Sequence, residues 1–180
     1  MATNRTGERK GAGKTRTVRV ERVSVSSSKT FDEVLEALAA GVGHPEMAAL
    51  RREIGGAGTY AELEAVVEKA AAGTGLMEFL RFDLGEVVRK ERGAGTPRSV
   101  RLLIGNPLTM KRMLVHVPDA GSYAPATLLV DEREDGVHVT YDRMASILAG
   151  YRNAEALKVA RELDAQVEAL IASATRRGEK

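Results

Sequence analysis

Alternation of apolar and polar positions predicts five strands along the chain. We expect them at residues 17–26, 76–82, 99–104, 126–133 and 137–142. Val18 and Val20 alternate in one phase and Val23 and Val25 in the other, so the first strand is expected to contain a β-bulge. Asp135-Gly136, between the last two strands, predicts a hairpin with a type I′ turn, because this dipeptide tolerates positive φ angles.

Apolar residues at spacings of three and four predict helices between these strands. Thr30 with Glu33, and Thr59 with Glu62, form two capping-box signatures that place helix starts at Phe31 and Tyr60. Pro45 is expected at the first position of a short helix between them. Asn106-Pro107 predicts a further helix through about residue 116. The charged, glycine-containing stretch 85–98 is expected to form a loop or a frayed hairpin.

A long helix is expected at residues 154–174, capped by Asn153. Its apolar positions alternate in spacing between four and three, which is the pattern of a short coiled-coil seam. Such a seam either docks on the domain itself or pairs two subunits, and we favour docking because most amphipathic helices pack on their own body. The seam consists of Ala156, Ala160, Leu163, Val167, Leu170 and Ala174.

Together these elements predict an α+β fold, with a mostly antiparallel sheet of about five strands packed by helices. We expect a disordered basic tail at residues 1–16, an α+β domain at 17–150 and a C-terminal helix and tail at 151–180. Residues 43–73 are expected to be a helical insertion after the first helix. The tail carries five basic residues and one acidic residue, with almost nothing to bury.

The amino-acid composition argues against several classes of function. Apolar residues make up 43% of the chain and charged residues 29%, which suits a folded domain with a solvated surface. The chain has no cysteine and no apolar run of about 18 residues, so we expect a cytoplasmic protein without a membrane contact. The histidines, His44, His116 and His138, lack ligand spacing, so neither a metal nor a cofactor is expected. Nucleic acid is expected to bind only weakly, through the tail.

The first candidate site is the turn Gly105-Asn106-Pro107. Capping by Asn106 explains this turn without a ligand, and we favour that explanation. The same geometry leaves free amides at a helix start, where Lys111 and Arg112 would add positive charge for a small anion.

A second group of polar residues lies on the predicted strands. Arg81 and Asp83 project from the same side of one strand and form either an ion pair or the wall of a polar pocket. Tyr141 shares a face with Val139 and is expected in the core with its hydroxyl at the edge. If Arg81, Asp83, Asn106 and Tyr141 converge on one cavity, they suggest an enzyme, although no base or nucleophile has a recognisable partner.

Several segments resemble the domain-of-unknown-function family 302. They are residues 99–107, 126–132, 135–141 and 28–33, together with Arg81-Phe82-Asp83. The resemblance implies a fold of β-α-β4-α type, similar to the TATA-binding-protein class, and often a homodimer, but it implies no reaction. The family often has a histidine after the strand aspartate, where this chain has Leu84, and the stretch 43–73 departs from the family as well.

From these observations we expect a homodimeric small-ligand binding or accessory protein. Its ligand, expected to be a small anion, would lie near Gly105, Asn106, Pro107 and Lys111, with Arg81, Asp83 and Tyr141 as further candidate residues. The alternative is an enzyme with a polar site formed by Arg81, Asp83, Asn106 and Tyr141.

Overall fold

The sheet buries one of its faces under helices. The computed structural model describes residues 15–176, so the tail expected at 1–16 lies outside the described residues apart from its last two positions. Five strands form one antiparallel sheet in the order β1-β5-β4-β3-β2, which confirms the predicted fold class. They are β1 (Arg22–Ser27), β2 (Met77–Asp83), β3 (Ser99–Gly105), β4 (Ala126–Arg133) and β5 (Gly136–Asp142).

The described part of the chain also contains seven α-helices and a short 3₁₀ helix at Pro118–Ser122. The helices are α1 (Phe31–Ala40), α2 (Met47–Gly56), α3 (Tyr60–Ala70), α4 (Leu84–Arg92), α5 (Pro107–Leu114), α6 (Met144–Ala149) and α7 (Ala154–Thr175). Every helix in residues 15–176 is too short or too polar to cross a lipid bilayer.

The main core lies between the sheet and helices α1, α5, α6 and α7. Alternate residues of the inner strands point into it, because successive side chains of a strand point to opposite faces. Leu102 of β3 lies opposite Leu128 of β4, which in turn lies opposite Tyr141 of β5, and all three are buried. Helices α2 and α3 occupy the region 43–73 and form a smaller core with Met77 at the start of β2.

Local capping chemistry follows the predictions in three places. Both capping boxes form, with Thr30 accepting from the amide of Glu33 and Thr59 accepting from that of Glu62. Asn153 caps α7 through the amide of Ala156 at 2.9 Å. The expectation for Pro45 was wrong: α2 begins at Met47, because the Glu46 carboxylate caps it through two backbone amides.

The loop expected at 85–98 is found only at residues 93–98, because Leu84–Arg92 forms helix α4. The Asp83 carboxylate accepts a hydrogen bond from the amide of Glu86 at 2.8 Å and so caps the helix. Arg89 Nη2, about one turn further along the helix, donates another hydrogen bond to the Asp83 carboxylate at 2.8 Å. The helix ends at Gly93, whose φ of 86° is one that side-chain-bearing residues rarely adopt.

Two further expectations were wrong, and the short helix α6 was not foreseen. Strand β1 starts only at Arg22, so Val18 and Val20 lie outside it and no bulge is needed. The hairpin between β4 and β5 exists, but Arg133 lies opposite Gly136, which makes Glu134 and Asp135 the turn residues. Neither has a positive φ, so the turn is not of type I′, and the positive φ of 131° lies at Gly136.

Helix α7 docks on its own domain, as favoured from the sequence. All six residues of the expected seam are buried within the single chain, and the helix packs against α1, α5 and α6. At its C-terminal end the hydroxyl of Ser27 donates to the carbonyl of Thr175 at 2.8 Å, which ties the helix to β1. The seam is therefore part of the core.

We expect Leu163→Lys to unfold the monomer, because it removes a side chain that is 3% exposed and brings a charge into an apolar contact. The loss should exceed about 3 kcal/mol in free energy of unfolding, measured by urea denaturation. Ala165→Lys is the control, since Ala165 is exposed on the same helix and should change little. A folded, stable Leu163→Lys monomer would contradict docking.

Candidate functional site

The turn between β3 and α5 is organised by Asn106. Its Oδ1 accepts a hydrogen bond from the amide of Leu108 at 2.8 Å, which caps α5. Its Nδ2 donates to the carbonyl oxygen of Gly75 at 3.1 Å. Pro107 occupies the first turn of the helix, where a missing N–H costs nothing. The capping role is confirmed, and the second bond ties the turn to the segment that leads into β2.

The cations near this turn already have protein partners. Lys111 Nζ lies over the ring of Tyr60, 4.3 Å from its centroid. Arg112 Nη2 donates to Glu162 Oε2 on α7 at 2.8 Å. Neither charge is directed at the helix start, so Lys111 and Arg112 add no free positive charge to it.

A small cavity of about 160 Å³ lies beside the turn. Strand β2, helices α5 and α7 and the segment before β4 all contribute to its wall. Gly105 leaves room for it: a Cβ at this position would lie 3.5 Å from the ring of Phe79 and 3.7 Å from Pro125 Cβ. The residues that surround it include Phe79, Gly105, Pro107, Met110, Met113, Pro125 and Leu163.

The chemistry of this cavity is apolar. Its two polar side chains are those of Asn106 and Thr109, and both polar atoms of Asn106 are engaged as described above. Met110 and Met113 line it with flexible, polarizable thioethers, which adapt to irregular apolar shapes. Such a wall binds through dispersion and the exclusion of water.

Tyr141 lies away from the turn, in the core beneath α7. It is 2% exposed, and its hydroxyl donates to Asp164 Oδ1 at 2.6 Å. Burial raises the pKa of this phenol far above its ordinary value, and the hydrogen bond to the Asp164 carboxylate raises it further. The group therefore stays neutral and serves the packing of α7 on β5.

Arg81 and Asp83 lie on the same side of β2, opposite Leu102 and Val100 of β3, as expected for alternate strand residues. They do not pair with each other. Arg81 donates twice to the Glu78 carboxylate, at 3.1 and 2.9 Å. Asp83 caps α4, and the hydrogen bond from Arg89 lowers its pKa. Both side chains have structural partners.

Of the sequence-predicted residues, the structure brings only Gly105, Asn106 and Pro107 to one cavity. Lys111 lies on the exposed flank of α5, while Arg81, Asp83 and Tyr141 lie elsewhere on the sheet. The four residues of the enzyme alternative therefore do not converge.

Sequence reasoning missed most of the cavity wall. Met110 and Met113 lie three residues apart on one helical stripe, a pattern that is typical of a face packed in the core. The local sequence gives no sign that Phe79, Pro125 and Leu163 line a cavity, because the fold brings them to the turn from distant segments.

The histidines have separate environments. His44 Nε2 lies 2.9 Å from the carbonyl of Ala39, and His138 Nε2 lies 2.8 Å from Asp135 Oδ1. Within residues 15–176, no group of three or more His, Asp or Glu side chains is arranged to hold a metal ion.

Comparisons with known proteins agree with this fold. The model of a family described as domain of unknown function DUF302 matches residues 54–174, which include α3 and nearly all of α7. A crystal structure of an uncharacterized conserved DUF302 protein from Bacillus stearothermophilus is similar, with a TM-score of 0.61 at 15% sequence identity. That likeness covers 86% of this chain and 98% of the other, and it shows the fold alone. No curated protein matches the sequence.

We expect Asn106→Ala to lower the free energy of unfolding by about 2 kcal/mol, since it removes a helix cap and a further hydrogen bond. Asn153→Ala, which removes a cap alone, should cost about 1 kcal/mol. Asn106→Asp keeps the cap but turns a carboxylate oxygen toward the Gly75 carbonyl, so it should destabilise whereas Asn153→Asp should not. Urea denaturation of the four variants measures this. Equal losses in the two alanine variants would show that the bond to Gly75 adds nothing.

Proposed function

Because the chain belongs to the DUF302 family, a family of unknown function, we propose its function from its own geometry: it is a homodimeric protein that binds a small apolar molecule beside the Gly105-Asn106-Pro107 turn. We still expect the protein to be cytoplasmic, because the chain has no cysteine and no long apolar run.

The observation that carries the ligand proposal is the apolar cavity of about 160 Å³ that Gly105 leaves open. An engineered apolar cavity of about 150 Å³ binds benzene, so the volume beside Gly105 is large enough for such a molecule. The ligand class is therefore a small apolar molecule, about the size of one or two fused aromatic rings.

Two contacts favour an apolar ligand over an anion at this turn. The amide of Leu108, which would face an anion, already donates to Asn106 Oδ1. The ammonium of Lys111 lies over the Tyr60 ring. An anion at the helix start would compete with Asn106 Oδ1 for the Leu108 amide and would gain no free charge from Lys111.

The dimer proposal rests on the β2–α4 patch, which we define as Leu80, Phe82, Leu84, Val87 and Val88. These side chains are between 36% and 65% exposed and stand close together in the sequence. Contiguous exposed apolar patches are rare on monomeric proteins and often mark interfaces. The patch lies at the edge of the sheet, where β2 has only one neighbouring strand over most of its length.

The charges around this patch favour a second copy of the chain over a charged partner. Residues 83–92 contain Asp83, Glu86 and Glu91 against Arg89, Lys90 and Arg92, so the segment has no net charge. A two-fold interface brings the same surface of both copies together, and a strongly charged surface would oppose this. A neutral segment with charges of both signs allows acids and bases to pair across the axis.

For the ligand, we expect Gly105→Ala to weaken binding of indole several-fold, because the added methyl group enters the cavity at ordinary contact distances from Phe79 and Pro125. Binding is followed by NMR through the methyl signals of Met110 and Met113. Gly55→Ala is the control, since a Cβ there meets nothing within 4 Å. Equal affinity in both variants, or indole shifts confined to other methionines, would refute this site.

For the dimer, we expect Val87→Glu to shift the protein from dimer to monomer in analytical ultracentrifugation. Val87 is 65% exposed, so the substitution should leave the monomer folded. Val115→Glu is the matched control, because Val115 is 63% exposed and lies outside the patch. A monomeric wild-type protein, or a Val87→Glu variant that stays dimeric, would contradict the proposed interface.

A further inference from the structure

The face of the sheet opposite α7 has a positive charge among apolar and hydroxyl side chains. Across this face, Phe82, Arg101, Leu129 and Thr140 lie in register on four neighbouring strands. Their Cβ atoms point away from the core, because Leu102, Leu128 and Tyr141, one position along, point into it. Arg101 is exposed in the middle of this row.

Among the described residues, Arg101 has no acidic partner, unlike Arg22 and Arg133 on the same face. Arg22 donates twice to the Asp142 carboxylate, at 2.6 and 2.8 Å, and Arg133 pairs with Asp131 at 2.7 Å. Within residues 15–176, no carboxylate forms an ion pair with Arg101, and its one side-chain hydrogen bond runs from Nη2 to Thr127 Oγ1 at 3.2 Å. Most of its N–H donors are therefore open to a ligand.

The guanidinium of Arg101 lines a cavity of about 400 Å³. Apolar side chains from three segments form much of its wall, and hydroxyl groups flank the cation. This volume lies within the range of about 300–1,000 Å³ that is typical of small-molecule sites. The residues beside Arg101 include Leu84, Tyr123, Thr127, Leu129, Thr140 and Ile147, together with the ion pair of Arg22 and Asp142.

We propose that this cavity binds a small organic anion, a carboxylate carried on an apolar body. The planar guanidinium of Arg101 matches a carboxylate with two parallel hydrogen bonds. The apolar part of the ligand lies on Leu129 and Ile147, and Thr127 and Thr140 offer hydroxyl donors to the carboxylate. This site is separate from the cavity at the Gly105-Asn106-Pro107 turn and takes a different class of ligand.

The charges on this face favour a small organic anion over a second copy of the chain or a nucleic acid. A second copy centred on Arg101, rather than on the β2–α4 patch at the edge of the sheet, would bring the same guanidinium from both copies into one interface, which like charges disfavour. Nucleic acid requires several cations directed at phosphates, but Arg22 and Arg133 are held by carboxylates on this face. An inorganic anion would leave the apolar wall in contact with water.

The test is binding of octanoate to the full-length chain by isothermal titration calorimetry, with octanamide and acetate for comparison. We expect octanoate to bind more tightly than either, since octanamide lacks the charge and acetate lacks the apolar body. Arg101→Gln should weaken octanoate at least about tenfold, the effect of losing a charged hydrogen bond, and Arg101→Lys should weaken it less. Arg51→Gln, which makes the same charge change at an exposed position of α2, should leave the affinity unchanged.

Three results would overturn the proposal: no octanoate binding at millimolar concentration, equal affinity in wild type and Arg101→Gln, or equal weakening by Arg51→Gln. Gly105→Ala should not change the octanoate affinity. If it does, octanoate occupies the apolar cavity at the turn instead, and the Arg101 site is also refuted. Unchanged melting temperatures for the Arg101 variants show that any lost binding does not come from unfolding.

Discussion

A buried carboxylate on α7 holds the architecture together. Asp164 is 6% exposed and accepts three hydrogen bonds, from the Tyr141 hydroxyl at 2.6 Å and from the amides of Met144 and Ala145 at 2.8 and 3.0 Å. A buried charge is tolerated only when such donors replace the water it has lost. These partners lie on β5 and on the first turn of α6, so one side chain joins both elements to α7.

This junction determines where ligands have access. Because α7 is fixed along one face of the sheet, that face becomes the core. Leu163, the seam residue next to Asp164, forms part of the wall of the cavity at the Gly105-Asn106-Pro107 turn. The opposite face receives no helix of similar length and keeps Arg101 and its cavity exposed. The two proposed sites thus lie on opposite sides of one sheet and have different chemistry, because α7 covers only one of those sides.

The sequence predicted the elements whose signals are local. Capping at Thr30, Thr59 and Asn153, together with alternation in β3 to β5, placed most helices and strands correctly. Helix α4 was missed because Asp83, which caps the helix and binds Arg89, looked like a strand residue in the sequence. Its valines are exposed, so the helix also lacks the buried apolar stripe by which helices are recognised.

The candidate sites were predictable only in part. Asn106 was identified as a cap from its neighbours, but the partners of Lys111 and Arg112 come from α3 and α7 and leave no trace in the local sequence. In the sequence, Arg101 likewise looks like any exposed strand residue. Only the strand register shows that Asp131 and Asp142 on its face are already paired with other arginines. Site chemistry here depends on long-range pairing, which a single sequence does not reveal.

We expect the apolar cavity beside Gly105 to be free of water, and a crystal of the protein pressurised with xenon tests this most directly. Xenon binds in apolar cavities of this size through dispersion alone. We predict one strong anomalous peak between Met110, Met113 and Pro125. Ordered waters in that space, or a Phe79 or Met110 side chain filling it, would contradict the claim.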